Sequence, residues 1–274
     1  MKRTPIGLLT IIGIAAFLFV PFPALAQTAP PPGVWQQFSA LGNSAVTGST
    51  GSGTVVTGDV GSSPNPSVTN FPPSTVGVPF TLHLANDLTV QAAHSSAIAA
   101  YNFLAAQGPG TVLPAQLNGA VITPGIYSFS GGAADLAALG TLTLNDPTGT
   151  GIFVFQVDSA LTANVGSNVI GTANPCNVYW RVGTSAVLNG VNFRGTVIAD
   201  ASITLGSGSN VAGRLLAGTG ATGAVTMAGS GGNTIGGCAV VSNGPAADIP
   251  ALSPILLLLL SITLATAAVL TLRR

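Results

Sequence analysis

Four consecutive segments, FVFQVDSALTANVGSNV (153–169), VYWRVGTSAVLNGVNF (178–193), TVIADASITLGSGSNV (196–211) and LLAGTGATGAVTMAGSGGNTI (215–235), share one plan. Each opens on a β-rich apolar run, turns, gives a second strand, passes a Gly/Asn/Ser turn and ends in a short third strand. Anchored on their second strands, Leu161, Val187, Ile203 and Val225 lie 26, 16 and 22 residues apart. An irregular period of roughly 20 residues predicts a solenoid, because one three-sided coil cannot bury its inner face alone and must stack on its neighbours. A doubly wound or sandwich fold gives no reason for the triplet of strands.

One segment departs from this plan. NDLTVQAAHSSAIAAYNFLAAQG (86–108) carries Asn86 or Asp87 as a helix N-cap and Gly108 just past the end. Ala93, Ala97, Tyr101, Leu104 and Ala105 fall on one face at helical spacing, so a helix over about 86–107 is expected. Its alanines suit close packing along the flat flank of a β-coil, and a solenoid needs such cover where strand edges would otherwise lie open.

Composition narrows the function. Of 274 residues only 5% are charged and 47% are apolar, against roughly 25% charged in ordinary soluble domains. The seven acids are all aspartate, and four of the seven bases, Lys2, Arg3, Arg273 and Arg274, sit at the extreme ends. The interior keeps only Arg181, Arg194 and Arg214, so there is no basic patch and nucleic acid is excluded as a partner.

Part of the apolar excess is terminal. Residues 1–26 read as a secretory signal peptide, with two positive residues, an apolar run from Ile6 to Val20 and the small-x-small site Ala24-Leu25-Ala26. Ile255 to Leu272 is 18 residues, about 27 Å as a helix, close to the roughly 30 Å hydrocarbon core of a bilayer. Residues 249–274, IPALSPILLLLLSITLATAAVLTLRR, resemble the IPTL-type C-terminal sorting signals of Gram-negative bacteria. A transmembrane helix of that length is a plain membrane anchor or, as the resemblance implies, a tag that tethers the chain until a sorting protease cuts it; either way the location expected is secreted or cell-surface. Between the ends lie one domain, 27–238, and a linker, 239–248.

The ordered blocks of that domain are similar to those of the microbial ice-binding-like family. They are VVTGDVGSSPNPSVTNFPPSTV (55–76), AAYNFLAA (99–106), LNGAVITPGIYSFSGGAADLAALGTLTLNDPTGTGIFVFQVDSALT (117–162), CNVYWRVGTSAVL (176–188) and SITLGSGSNVAGRLLAGTGAT (202–222). The resemblance implies a mainly β fold, a discontinuous right-handed β-solenoid of triangular cross-section with one long α-helix alongside. It also implies adsorption to ice, or to its ordered surface water, through one flat face.

Catalytic patterns do not compete with this. GTGATG (218–223) matches G-x-G-x-x-G, yet no helical period follows it, and a solenoid turn accounts for it. His83 and His94 lack a second ligand pair at zinc spacing, no G-x-S-x-G elbow precedes a helix, and the aspartates are scattered among turns. No enzyme, metal site or cofactor is expected.

Strongly binding family members carry Thr-Ala/Gly-x-Thr/Asn on stacked second strands. The matching positions here are Thr162-Ala163-Asn164-Val165, Val187-Leu188-Asn189-Gly190, Thr204-Leu205-Gly206-Ser207 and Thr226-Met227-Ala228-Gly229. Alternation turns Leu161, Ala186, Ile203 and Val225 inward. Thr162, Val187, Thr204 and Thr226 then form one outward row, and Asn164, Asn189, Gly206 and Ala228 the next. Valine replaces one threonine, and the fourth motif position is never Thr or Asn, so a cell-surface or matrix adhesion module that leaves ice alone stays open as the alternative. AVTGST (45–50), with Thr47 and Thr50, is the second choice of face. Cys176 and Cys238, an even pair in an exported chain, fit either a disulfide that staples the last coil or two free thiols.

Overall fold

The computed structural model describes residues 27–241. The leader 1–26, the tail 249–274 and all but the first three residues of the linker lie outside the described residues. Among the described residues no helix is long and apolar enough to cross a membrane.

All strand pairing along the two sheets is parallel. A seven-stranded sheet forms one side, in the order Ala134–Leu136, Leu161–Ala163, Ala186–Leu188, Ile203–Leu205, Ala224–Met227, Ala45–Thr47, Val68–Thr69. A 14-stranded sheet wraps the other two sides. The eight-residue strands Asn192–Ala199 and Asn210–Ala217 belong to both sides and turn the corner at Gly195 and Gly213. Only glycine fits there. A Cβ on Gly213 would stand 1.9 Å from the Gly195 carbonyl oxygen, and one on Gly195 2.8 Å from that of Val178.

Spatial order is not chain order. The first coil lies beyond the last: Ala45, Val46 and Thr47 pair with Ala224, Val225 and Thr226, and Asn233 to Gly236 pair with Thr54 to Thr57. The chain must then return from that end to begin the coil at Ala134–Leu136 on the other. Seven strands make six steps of about 4.8 Å, or about 29 Å. The helix Leu88–Ala106 has 19 residues, which at roughly 1.5 Å each spans about 28 Å. The helix is the return path, and its length is set by the stack.

Two apolar layers result. Inside the coils, alternate residues of each strand pack together, with an aromatic file Tyr127, Phe155, Trp180 and Phe193 whose closest pair, Phe155 and Trp180, stacks at 4.0 Å between ring centroids. Outside them, Val90, Ala93, Ala97 and Leu104 of the helix close over Val154, Tyr179, Ile198 and Leu216. Asp87 caps the helix by accepting from the Val90 amide at 3.0 Å.

Three details correct the sequence reading. The helix starts at Leu88, not 86. Ala105 faces solvent and Ala100 takes the buried position, because the packed stripe drifts around the helix by its 3.6-residue turn. Leu161 pairs with Ala186, not Val187, so the coil-to-coil spacings anchored on inward residues shift by one. Turns of unequal length between the coils hide that register from a simple count.

Arg214 is buried without a carboxylate. Its guanidinium donates to the carbonyls of Gln36 and Cys238 and to Thr196 Oγ1, and lies 5.1 Å from the Trp35 ring centroid. Burial pulls its pKa down to about 10, which leaves it charged at neutral pH. It ties the last residues of the domain to the first. Beside it Cys176 and Cys238 form a disulfide, 62 residues apart in sequence with Cα atoms 5.3 Å apart.

That bridge closes a loop worth about 4 kcal/mol in the chain-entropy estimate. Cys238→Ser is accordingly expected to lower the melting temperature by several degrees while the circular dichroism spectrum stays β-rich. Equal melting of variant and parent in non-reducing buffer would show that the bridge adds nothing.

Candidate functional site

The seven-stranded side brings one outward row into register: Asp135, Thr162, Val187, Thr204, Thr226, Thr47 and Thr69. The row is outward because its neighbours on each strand are inward. Leu161, Ala186, Ile203, Val225 and Val46 are buried on one side, and Ala163, Leu188, Leu205 and Met227 on the other. Neighbouring rungs stand about 4.8 Å apart.

Thr162, Val187, Thr204 and Thr226 therefore stand together. Asn164, Asn189, Gly206 and Ala228 continue the register just past the strands, through amide bonds to Leu136, Ala163, Leu188 and Leu205 at 2.7 to 2.9 Å. This second row is less free than the first. Asn164 Nδ2 donates to Asp135 Oδ1 at 3.2 Å and to the Leu136 carbonyl at 3.1 Å, while the Asn189 amide lies over Gly206.

Sequence reasoning kept Thr47 apart as a rival face and left out Thr69. The structure adds both to the same row and leaves Thr50 in an exposed turn. The signal was present: the tripeptide AVT at 45–47 is repeated at 224–226, and those two copies are the ones that pair.

What the row can do depends on what its polar atoms already do. Thr69 Oγ1 donates to Thr47 Oγ1 at 3.3 Å. Among the described residues the hydroxyls of Thr162, Thr204 and Thr226 make no hydrogen bond within the protein, so they are left to solvent. The one charge, Asp135, stands at the end of the row, where Gln116 Nε2 donates to it at 2.6 Å.

The other two sides offer less. One is sealed by the helix. The third carries its own row, Thr141, Asn168, Asn192, Asn210, Thr234, Val55 and Thr75. Four of its polar side chains are spent on each other: Asn192 Nδ2 donates to Asn168 Oδ1 at 2.7 Å, and Thr234 Oγ1 to Asn210 Oδ1. Arg194 stands two positions along from Asn192 on the same strand.

The residues weighed for chemistry are structural here. His94 bonds the Gly218 carbonyl at 3.1 Å and Asn43 at 3.4 Å. GTGATG is a turn in which Gly218 has φ +80°. Among the described residues no group of three His, Cys, Asp or Glu is placed to hold a metal ion.

Fold and face together define a parallel β-solenoid with one flank sealed by a helix and one nearly uncharged, hydroxyl-bearing flank open to water. Residues 40–232 match the family described as ice-binding-like. An ice-binding protein of Nostoc sp. (strain HG1) is 38% identical over 221 residues, which cover 79% of this chain and 78% of that protein. The solved structure of an ice-binding protein from an Antarctic biological consortium superposes with a TM-score of 0.67 at 34% identity, covering 85% of this chain and 96% of that one. That from the Antarctic ascomycete Antarctomyces psychrotrophicus gives a TM-score of 0.66 at 30% identity, over 76% and 97%. The chain belongs to the ice-binding-like family.

The difference between the two open faces is measurable in stability. Thr204→Val removes a hydroxyl with no protein partner and is expected to change the unfolding free energy by less than about 0.5 kcal/mol. Asn192→Ala removes a side-chain bond and is expected to cost about 1 kcal/mol. Denaturant melts of the two variants check the order, and a larger loss for Thr204→Val would contradict it.

Proposed function

We propose that this protein binds ice through the row Thr162, Val187, Thr204, Thr226, Thr47 and Thr69, and that adsorption slows ice growth or recrystallisation or attaches cells to ice. The observation that carries the reading is the row in which, among the described residues, the hydroxyls of Thr162, Thr204 and Thr226 have no partner within the protein, on a face the helix leaves open. The names of the Nostoc relative and of the two Antarctic structures support it.

The physics is that of a lattice ligand. Ice has no charge to pair with, only donors and acceptors repeated in a plane. Rungs about 4.8 Å apart, with alternate residues on a strand about 6.6 Å apart, roughly suit water oxygens on such planes. Hydroxyls hold the ordered water and the threonine methyls shape its cage. Each contact is weak, but a rigid face loses little ordering entropy on adsorption, so many contacts add. Val187 keeps the methyls and the flatness and lacks only one hydroxyl. The reading assigns no catalytic step to the face.

Export fits the same reading. A disulfide belongs in an oxidising compartment, and the sequence patterns of the leader 1–26 and the tail 249–274 support export, to the surface of a Gram-negative cell or released from it. No feature of the described residues favours the adhesion alternative.

Thr204→Tyr breaks the flatness at the middle of the row while tyrosine remains at home in an exposed strand. It is expected to weaken recrystallisation inhibition by roughly tenfold, equivalent to about 1.4 kcal/mol, with an unchanged melting temperature. Val187→Thr completes the row and is expected to strengthen inhibition. Equal inhibition by Thr204→Tyr and the parent would place the ice face elsewhere.

A further inference from the structure

His83 lies between two carboxylates at the end of the stack where the chain leaves the coils for the helix. The segment that carries it runs beside Asp59–Ser62: the Val60 amide donates to the Thr81 carbonyl at 3.1 Å, the His83 amide to the Val60 carbonyl at 2.8 Å, and the Thr81 amide to Asp59 Oδ1 at 2.8 Å. The imidazole lies against Phe38, with ring centroids 5.2 Å apart. Its Nδ1 stands 2.8 Å from Asp87 Oδ2 and its Nε2 3.5 Å from Asp59 Oδ2. Asp87 is the helix N-cap, its other oxygen accepting from the Val90 amide.

A neutral imidazole suits this site badly. It has one N–H, so its other nitrogen would turn a lone pair toward a carboxylate. The side chain is only 10% exposed and Nε2 itself is buried, which keeps bulk solvent from screening that repulsion. The imidazolium faces a carboxylate at each nitrogen.

We infer that His83 is a proton-operated clamp: charged, it fastens the helix N-terminus to the cap of the solenoid, and its deprotonation loosens that end of the helix while the stacked coils stay closed. The charged groups facing it are Asp59 from its neighbouring strand and Asp87 from the helix; Phe38, from the third packed element, brings none. Among the described residues no lysine or arginine pairs with either carboxylate, so loss of the proton leaves two like charges around a neutral ring.

The directions agree. Asp59 raises the His83 pKa above its ordinary 6.5, burial opposes this and Asp87 adds to the rise. Stability from His83 is therefore fully present below 6.5 and is lost as pH rises through the raised folded value. For Asp87, burial pushes the pKa up, but the bonds from His83 and the Val90 amide outweigh it and hold it below its ordinary 3.8. Its share is present above 3.8 and is lost as pH falls through the lowered value. The clamp is closed between these limits and opens on the alkaline side through His83.

The test is a nuclear magnetic resonance titration of the full chain across about pH 5 to pH 9, with amide hydrogen exchange at Val90 to Ala93 corrected for intrinsic rates. The clamp predicts that His83 titrates above its ordinary value and that protection at Val90 to Ala93 falls several-fold as it does, while amides of the stacked second strands keep theirs. His83→Gln, neutral at every pH, should show the lower protection throughout with no pH step. A His83 titration at or below the ordinary value, or protection that does not change with it, would overturn the clamp. If the variant fails to fold, the parent titration alone still decides.

Discussion

Every feature of this protein rests on the in-register parallel stacking of its coils. A strand of three residues, such as Ala186–Leu188, has too few hydrogen bonds and too little apolar surface to hold alone. Stacked between Leu161–Ala163 and Ile203–Leu205, its two inward residues join a continuous core and its backbone bonds both neighbours. The same register that buries Leu161, Ala186, Ile203 and Val225 in one file puts Thr162, Val187, Thr204 and Thr226 in another. Core and candidate face are two sides of one constraint, and a slip of one residue would exchange them.

The helix is a consequence of that stack. Because the first coil is placed after the last, the chain must travel the length of the solenoid, and a helix of matching length lets it do so with its backbone bonds satisfied. Its alanines bring it close to Tyr179, Ile198 and Leu216 and seal one of three sides. Charge is treated the same way. Arg214 is buried among carbonyls, Arg181 pairs with Asp158 and lies against Tyr101 of the helix, and Asp135 closes one end of the row. Of the two sides left open, the seven-stranded one presents a row of hydroxyls and methyls suited to water arranged in a plane.

Much of this was legible in the sequence and some was not, for identifiable reasons. Inward and outward residues of the four C-terminal coils follow from strict alternation, and the N-cap and the buried alanines 93 and 97 follow from local chemistry. The place of the first coil does not, since Asn233 and Thr54, whose side chains bond at 3.3 Å, are 179 residues apart. Its only trace is the repeated AVT. The alternation also gives the Ala186 register correctly; only the count of spacings, anchored on Val187, is one residue off. Nothing local marks His83, because Asp59, its second partner, comes from a coil 24 residues earlier.

The central claim is that this face engages ice itself, and the shape of a single ice crystal growing in a solution of the purified protein tests it most directly. Adsorption to particular planes arrests them and gives a faceted crystal with a measurable gap between melting and growth temperatures. A smooth disc that grows as it does in buffer alone, from protein shown to be folded, would contradict the account.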